Sequence, residues 1–435
     1  MDSITPALRP SAIQSDRPQT RIALFEKGYS IVCILFFGDG ISTLVNENEL
    51  IVKLLRYTIV LVAIFLMSAR WRTTLRALSK GGSLWLVVGL MFASFVWSVS
   101  PTYTSESLRG EVLPMTVFAT YFASRFNMRE QMRLIAVALT IGALLSLFYA
   151  VALPSVGRHV GGKFDGAWKG IYSQKNVFSS TMALTMVVFF ILSLANKDVQ
   201  ERLLARVGLL FSVCLILLST SVSGLIVFIA LLVIVTGSRL FRWQGHRSVL
   251  LLDIGGLVFL VVGTFLSATW QAIVIGLGKD PTLSARTDIW AGSIEKIMQR
   301  PLLGYGRAAF WVPDSTDVYE IGARTVRGFE PAHAHNGYID VALELGLIGF
   351  ALFMFGFIIS FGMALRRAYR ATEPEDIWPF AFFALITLYN LTESLLMLRS
   401  SAYWVIYMVI FLSLRIWPRR SYRQSVRATE LSSSG

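Results

Sequence analysis

Charged residues are scarce in this chain. Only 15% of its 435 residues are Asp, Glu, Lys or Arg, whereas 54% are hydrophobic and the mean hydropathy is +0.60. A soluble domain carries about 25% charged residues. The deficit argues against an ordinary soluble enzyme and, with the long apolar runs, predicts an all-α polytopic membrane protein.

Cysteine is almost absent, because only Cys33 and Cys214 occur and both lie in apolar runs. We therefore expect neither a disulfide framework nor a cysteine metal site. The first residues also lack the pattern of a cleavable signal peptide, and residues 1–27 are polar and contain three prolines. This composition predicts a disordered tail.

Apolar stretches account for most of the remaining chain. Stretches of roughly 17–25 residues are long enough to cross a bilayer. About twelve can be placed, which predicts a transmembrane domain over residues 28–418 and a short tail over 419–435. The stretches are about 28–45, 51–68, 83–99, 111–124, 134–153, 177–195, 205–219, 222–237, 249–276, 338–364, 377–397 and 401–417.

The distribution of Lys and Arg predicts the orientation. Clusters such as Arg70 to Lys80 and Arg125 to Arg133 fall on one side of the predicted spans, and cytoplasmic loops carry such an excess. Both termini should therefore be cytoplasmic. These positive loops also explain the net charge of +13, so we predict membrane lipids and no nucleic acid as partners.

Two segments on the predicted outer side are nevertheless basic. They are residues 154–176 and the large loop 277–337, in which we expect short helices. A long loop escapes the orientation rule, but the shorter one calls for another explanation. Basic residues close to the bilayer on this side fit an anionic ligand such as a lipid-linked phosphate.

In the large loop, the apolar spacing of Ile289, Trp290, Ile294 and Ile297 predicts an amphipathic helix over residues 287–299. Ser284 or Thr287 would cap its start, and Pro301 with Gly304 and Gly306 would end it. Arg286 would then lie at the helix N-terminus, where a guanidinium suits phosphate oxygens. The alternative is that Arg286 pairs with Asp288 or another carboxylate.

In the shorter loop, four basic positions converge near the next span: Arg158, Lys163, Lys169 and Lys175. We predict that Lys175, Lys169 and Arg158 contribute to the anion site. Lys175 alone could instead be a residue that extends to the membrane interface. Trp168 and Tyr172 would stack on sugar faces or anchor the loop at the interface.

The stretch HAHNGYIDVALELGLIG, residues 333–349, begins as a polar loop and continues as an apolar helix. His333 and His335 lie two residues apart, which does not match the spacing of a helical zinc pair, so we predict no metal and no cofactor. A neutral histidine can accept a proton from a hydroxyl, which makes His335 a candidate general base. The alternative is that His335 bonds the backbone at the helix start.

Asp340 and Glu344 are one turn apart on this predicted helix. Carboxylates at membrane depth are costly, so we expect them to face a polar cavity and to pair with cations or hydroxyls. Together with Asn336, they are predicted to line the substrate site.

Three blocks carry a resemblance to a known family: WKGIYSQKN (168–176), LSARTDIWAGSIEKIMQRPLLGYG (283–306) and HAHNGYIDVALELGLIG (333–349). With the many predicted spans and one large late loop, the chain resembles the bacterial O-antigen ligase and polysaccharide polymerase superfamily. Within that superfamily it is most similar to exopolysaccharide polymerases of the Wzy or ExoQ type.

The resemblance implies a membrane protein with a glycosyltransferase-C-like fold in the bacterial inner membrane. It implies a metal-independent, inverting glycosyltransferase that uses undecaprenyl-pyrophosphate-linked oligosaccharide as donor and acceptor at the periplasmic face. The family histidine would be His335 and the loop arginine Arg286. A further family arginine is absent from the turn STSVSG (219–224), and Lys175, Lys169 or Arg158 would supply its charge. A chain-length regulator and export proteins are the further partners that we expect.

Other functions fit parts of the pattern. A ligase would use the same chemistry but pass the glycan to lipid A core or another acceptor. A transporter would carry polar residues near the bilayer midplane and an internal repeat, whereas here polar residues such as Glu393 and Arg399 gather toward one end of the spans. A scaffold would leave the basic outer loops unexplained.

Overall fold

The computed structural model describes residues 16–41, 49–161, 164–196, 198–221, 286–325, 330–371, 373–396 and 401–417, with a few positions between 224 and 233. Within these ranges the regular structure is helical, apart from an isolated antiparallel bridge between Arg158 and Trp168. The all-α prediction is therefore confirmed for the part of the chain that the structure describes.

The helices follow one another in this order: α1 (Asp16–Phe37), α2 (Glu49–Ser68), α3 (Trp71–Lys80), α4 (Ser83–Ala93), α5 (Pro101–Ser107), α6 (Leu113–Arg125), α7 (Met128–Ala152), α8 (Pro154–Gly157), α9 (Lys175–Ala195), α10 (Val199–Leu218), α11 (Arg286–Gln299), α12 (Thr316–Ala323), α13 (Gly337–Tyr369), α14 (Trp378–Tyr389) and α15 (Ala402–Ile416). Short 3₁₀ turns cover Ser94–Val96 and Pro374–Ile377, and a π-helical turn covers Leu108–Val112.

Four of these helices, α2, α7, α9 and α13, are long and apolar enough to cross a membrane. A fifth candidate is the pair formed by α3 and Ser83–Val96, which meet at an angle of 85°. The predicted count of about twelve spans thus stays a prediction. Of the expected spans, 249–276 lies outside the described residues, as does most of 222–237.

Polar residues at the helix starts fix several boundaries. Asn127 and Glu130 form a reciprocal capping box at the start of α7, and Asp198 accepts two backbone hydrogen bonds at the start of α10. Ser401 caps α15 in the same way. Such caps satisfy N–H groups that have no partner inside the helix, so the chain enters each helix at a defined residue.

The N-terminal segment differs from the expected tail. Helix α1 begins at Asp16, and Glu26 is completely buried between Arg70 and Arg125. The ion pairs hold residues 16–27 as helix, which composition alone could not indicate. Residues 1–15 and 418–435 lie outside the described residues.

Helix α13 is broken at Gly346, whose φ of 64° is left-handed. Residues 301–306, the PLLGYG loop, supply backbone hydrogen bonds in place of those that the helix loses at the break. Leu347 N donates to Pro301 O at 2.7 Å, while Tyr305 N and Gly306 N donate to Leu343 O and Glu344 O at 2.8 and 2.9 Å. Backbone groups buried away from water need such partners, so the PLLGYG loop and the broken helix form one unit.

The predicted amphipathic helix is confirmed as α11, which packs on α13 and α12. Its buried residues Ile289 and Ile297 join Tyr305, Phe310 and Leu343 in a small apolar cluster beside the main core. The expected capping by Thr287 is wrong, because the helix already includes Arg286 and Thr287 lies within its first turn. Ser284 lies outside the described residues.

Candidate functional site

Four chain segments meet around the carboxylate of Glu393: the starts of α9 and α11, the loop before α13, and the turn after α14. Glu393 Oε1 lies 2.5 Å from Arg286 Nη2 and accepts a hydrogen bond from Asn176 Nδ2 at 2.8 Å. Glu393 Oε2 lies 3.2 Å from His335 Nδ1. We call Arg286, His335, Glu393 and Asn176 the outer cluster, because sequence analysis predicts all four segments on the outer side.

The structure thus brings together Arg286 and His335, the two residues predicted to do the chemistry. It also shows that Arg286 pairs with a carboxylate, as the alternative explanation held, although the partner is Glu393 and not Asp288. Because the same carboxylate faces His335, the ion pair is part of the cluster and does not draw Arg286 away from it.

The loop that carries His335 is held in an unusual conformation. His335 has a φ of 51°, and its backbone N donates to His333 Nδ1 at 3.1 Å. Trp290 of α11 donates from its indole to Ala334 O at 2.9 Å. These bonds orient the loop, and a left-handed non-glycine residue at such a position is typical of functional sites.

His333 lies next to His335, with ring centroids 4.1 Å apart. Burial lowers the pKa of His333 to about 3, with the nearby His335 as the next contributor, so the ring is neutral near pH 7. A neutral His333 can accept the hydrogen bond from His335 N and adds no charge to the outer cluster.

Asn336 and Asp340 build the start of α13. The Asn336 side chain accepts from Tyr338 N and Ile339 N and so caps the helix. Asp340 is buried and accepts from Ala334 N at 3.1 Å and from the Trp311 indole at 2.8 Å, and it also bonds the Ser394 hydroxyl. The predicted pairing of Asp340 with a hydroxyl is confirmed. Substrate binding by either residue stays a prediction, and their present partners favour a role in holding the loop.

Glu344, one turn further along α13, pairs with Arg307. Arg307 Nη1 lies 2.7 Å from Glu344 Oε2, and Arg307 Nη2 lies 3.5 Å from Glu111 Oε2. All three residues are buried, and the single guanidinium pairs with both carboxylates inside the protein. The predicted pairing of Glu344 with a cation is confirmed.

The shorter basic loop lies beside the start of α9. Arg158 stacks over Trp168 at 5.2 Å and donates to Ala150 O, so its guanidinium is engaged within the loop. Lys175 is buried, its Nζ lies 3.9 Å from the centre of the Phe164 ring, and its backbone N donates to His159 Nε2.

Lys175 and Lys169 both lie near His159. Partial burial lowers the pKa of His159, and the charges of Lys169 and Lys175 lower it further. Lys175 is followed by Asn176, whose side chain donates to Glu393. The basic loop and the outer cluster are therefore adjacent in the chain. Lys163 lies outside the described residues.

A cavity of about 510 Å³ adjoins the histidine loop. His333, Ala332, Trp311 and Pro313 line it from the loops, and Tyr172 lines it near the start of α9. Its other walls are mostly apolar, and the side chains that form them include Ile34, Leu35, Phe37, Ala138, Leu139, Val177, Leu184, Leu395, Tyr403 and Ile406. Asp39, Ser173, Thr181 and Ser401 also line the cavity, so its mostly apolar lining includes a few polar side chains. Tyr172 is buried in this wall.

His333, His335 and Glu393 are also the group in the described ranges that could hold a metal ion, with ligand atoms within 4.8 Å of one another. Sequence spacing alone could not reveal this group, because its third member is a distant glutamate. The guanidinium of Arg286 on the same carboxylate opposes a divalent cation by charge repulsion.

From the sequence, Glu393 is recognisable only as a polar residue near one end of a predicted span, and no pattern indicates a role for Asn176 or Trp311. The expected span 377–397 is shorter in the structure, since α14 ends at Tyr389 and Glu393 lies in the turn that follows. A carboxylate inside an apolar stretch is energetically costly. The presence of Glu393 in the apolar stretch 377–397 was therefore the sequence feature that could have marked it as a site residue.

The chain is similar to proteins named for polysaccharide production or ligation. A family profile described as O-antigen ligase matches residues 207–354. Exopolysaccharide production protein ExoQ of Rhizobium meliloti is 27% identical over 321 residues, which cover 70% of each chain. Proteins of Rickettsia prowazekii and Rickettsia typhi, both provisionally named polysaccharide ligases, are 37% and 35% identical over 79 residues, 18% of this chain and 20% of each relative.

The helices and these matches define a membrane protein related to enzymes of glycosyl transfer. The chain is similar to the O-antigen ligase and polysaccharide polymerase superfamily over residues 207–354, and its similarity to ExoQ extends over most of both chains. The predicted family resemblance is thereby confirmed.

Proposed function

We propose that the protein polymerises undecaprenyl-pyrophosphate-linked oligosaccharide repeat units into exopolysaccharide or O-antigen at the periplasmic face of the inner membrane. The observation that carries the proposal is the meeting of Arg286 and His335 on Glu393, beside an apolar cavity. A transferase of this kind must hold an anionic leaving group, a base and a lipid chain close together, and the cluster and cavity offer all three.

In the proposed reaction, a hydroxyl oxygen of the acceptor sugar attacks the anomeric carbon of the donor glycan from the side opposite the pyrophosphate. The bond between that carbon and the pyrophosphate oxygen breaks, so the configuration inverts and undecaprenyl pyrophosphate leaves. His335 takes the hydroxyl proton, which is typically worth 10²–10⁴-fold. Fixed cations stabilise the charge on the leaving group.

Arg286 is the first cation that we assign to the pyrophosphate. A guanidinium offers five N–H donors in a planar fork, and the bond to Glu393 engages Nη2. Glu393 therefore aims the guanidinium without using its whole donor set. Lys175, which begins α9 beside Asn176, is the second cation, and Lys169 is the third.

The apolar cavity would receive the first part of the polyprenyl chain. Burial of apolar surface is favourable at about 25 cal/mol per Å², so the apolar lining would hold the lipid. The outer cluster, which adjoins the cavity at His333, would hold the pyrophosphate. Trp168 and Tyr172 would contact the glycan or shape the loop around it.

The membrane arrangement is part of the proposal. We place about twelve spans in a glycosyltransferase-C-like fold, with both termini cytoplasmic and the loops 154–176 and 277–337 periplasmic. In support, Glu26 pairs with Arg70 and Arg125 at predicted inner segments, whereas every segment of the outer cluster is a predicted outer one.

A ligase is the second candidate, because the matching family profile is described as O-antigen ligase. The two activities differ in acceptor. Purified protein in liposomes, given one defined lipid-linked repeat unit alone, separates them. A polymerase produces a ladder of longer lipid-linked chains, whereas a ligase produces none until lipid A core or another acceptor is added. Movement of labelled lipid without new glycosidic bonds would overturn both.

Arg286→Ala is the first variant to test. We expect product formation to fall by about 10²–10³-fold or more, because removing one preorganised charge-stabilising group costs about that much, while the protein still inserts into the membrane. Arg324→Ala is the matched control, since Arg324 lies in the same loop and pairs with Glu295 at the surface. Normal polymer from Arg286→Ala would remove the phosphate role.

A further inference from the structure

We propose that Glu393 is a positioning residue that holds the base and the phosphate-binding arginine in one working geometry, with one carboxylate oxygen on each. The inference rests on the proposed function and extends it to a residue that the sequence did not single out. It follows from the three contacts of the carboxylate, from its burial and from the hydrogen bonds that fix its turn.

The contacts divide cleanly between the two oxygens. Oε1 takes Arg286 and Asn176, and Oε2 faces His335 Nδ1. Only 6% of Glu393 is exposed, so water competes little for these bonds. A buried carboxylate is costly unless it is paired and hydrogen-bonded, and here both oxygens have partners.

The turn that carries Glu393 is tied to the start of α13. Asn390 O accepts from Gly337 N at 3.0 Å, and Asn390 Oδ1 accepts from Leu395 N and Leu396 N at 3.0 and 3.1 Å. The Ser394 hydroxyl bonds Asp340 on that helix. Both sides of the contact between Glu393 and His335 are therefore anchored to the same helix end.

The contact selects one tautomer of His335. An ionised carboxylate only accepts hydrogen bonds, so His335 Nδ1 must carry the proton that lies between Nδ1 and Oε2. In the neutral ring, Nε2 then has the lone pair and can act as the base. Glu393 thus sets which nitrogen is available and also fixes the plane of the ring.

A buried glutamate does not need a histidine partner to be stable. Glu26 is equally inaccessible, but it pairs with two arginines, and no histidine takes part in the contacts that the structure describes for it. In Glu393, one oxygen contacts the guanidinium of Arg286 and the other the imidazole of His335. One carboxylate thus orients both side chains to which the proposed reaction assigns a role.

The test compares Glu393→Gln and Glu393→Asp with Glu26→Gln as the matched buried control. We expect kcat with the lipid-linked repeat unit to fall about 10- to 100-fold in Glu393→Gln, with a smaller change in KM. Glu393→Asp should recover part of the loss, because it keeps the charge. Glu26→Gln should keep wild-type turnover per inserted molecule.

A spectroscopic readout separates positioning from general structural support. The chain has four histidines, so ¹⁵N-histidine labelling gives few signals, and His335→Asn identifies those of His335. We expect a protonated Nδ1 and an unprotonated Nε2 in the wild type, and loss of that preference in Glu393→Gln.

Two outcomes would overturn the inference: wild-type kcat in Glu393→Gln, or a wild-type spectrum in which Nε2 carries the proton. If Glu393→Gln fails to insert, the wild-type spectrum and Glu393→Asp still decide. If Arg286→Ala and His335→Ala lose product while Glu393→Gln does not, this inference alone fails. If the wild type transfers no glycan at all, the proposed function fails, whereas the spectrum still reports on the contact.

Discussion

Two buried glutamates organise opposite ends of the described helices, and they do so with different partners. Glu26 on α1 joins Arg70 and Arg125, whose Nε lies 2.8 Å from Glu26 Oε2. Glu393 after α14 joins Arg286 and His335. We refer to the first group as the inner cluster, because its segments are predicted on the cytoplasmic side.

The difference lies in what each cluster can change. Both partners of Glu26 are guanidiniums, which stay charged at every accessible pH, so the inner cluster can only clamp α1 against its neighbours. In the outer cluster one partner is an imidazole, a side chain that can act as a proton acceptor in catalysis, and an apolar cavity lies beside the cluster. Similarly buried carboxylates therefore fix a helix in one case and, in the proposed function, position a general base in the other.

His335→Ala should give the largest effect that separates the clusters. We expect turnover to fall by about 10²–10⁴-fold, the usual contribution of a general base, while binding of the lipid-linked donor is retained. Single-turnover assays and donor-binding measurements on the same preparation would check this. His335→Asn keeps a polar side chain of similar size and serves as control for packing. Unchanged turnover in both variants would remove the base and leave the outer cluster as a second clamp.

Local patterns were enough to predict the helical class and α11. The apolar spacing of Ile289, Trp290 and Ile297 fixed that helix within one residue, because amphipathic periodicity is a local property. The sequence also suggested that Arg286 and His335 share one site, since both stand at predicted outer ends. What it could not supply was the residue that connects them, because Glu393 lies 58 residues beyond His335.

Other differences have the same origin in long-range contacts. Arg307 belongs to the basic segment 277–337, for which an anionic ligand was predicted, but tertiary packing buries it between Glu344 and Glu111. The break at Gly346 lies inside a continuous apolar run that predicts an unbroken helix. It is stable because the PLLGYG loop, which lies 38 to 46 residues earlier in the chain than its partners, supplies hydrogen bonds. Asn336 could have been recognised, since Asn just before an apolar run is a common cap.

Glu26→Gln should affect stability and spare turnover. Removing one member of a buried ion pair lowers the free energy of unfolding by about 3–5 kcal/mol. Because Arg70 and Arg125 are partly exposed, we expect a loss of about 2–3 kcal/mol here. Thermal unfolding of the purified protein in detergent should shift to lower temperature, while polymer formed per inserted molecule stays at the wild-type level. A loss of turnover without a loss of stability would mean that the inner cluster also takes part in the reaction.

A chelator should have the smallest effect of all. We expect EDTA to leave the rate of polymer formation unchanged within about twofold, because fixed cations, with Arg286 first, stabilise the leaving pyrophosphate in the proposed reaction. A divalent ion bound to His333, His335 and Glu393 would have to displace Arg286 from the carboxylate and would occupy the base. If EDTA instead abolishes product and an added divalent metal restores it, the outer cluster is a metal centre. The two clusters would then differ because one binds a metal ion, and not because one contains a proton-accepting histidine.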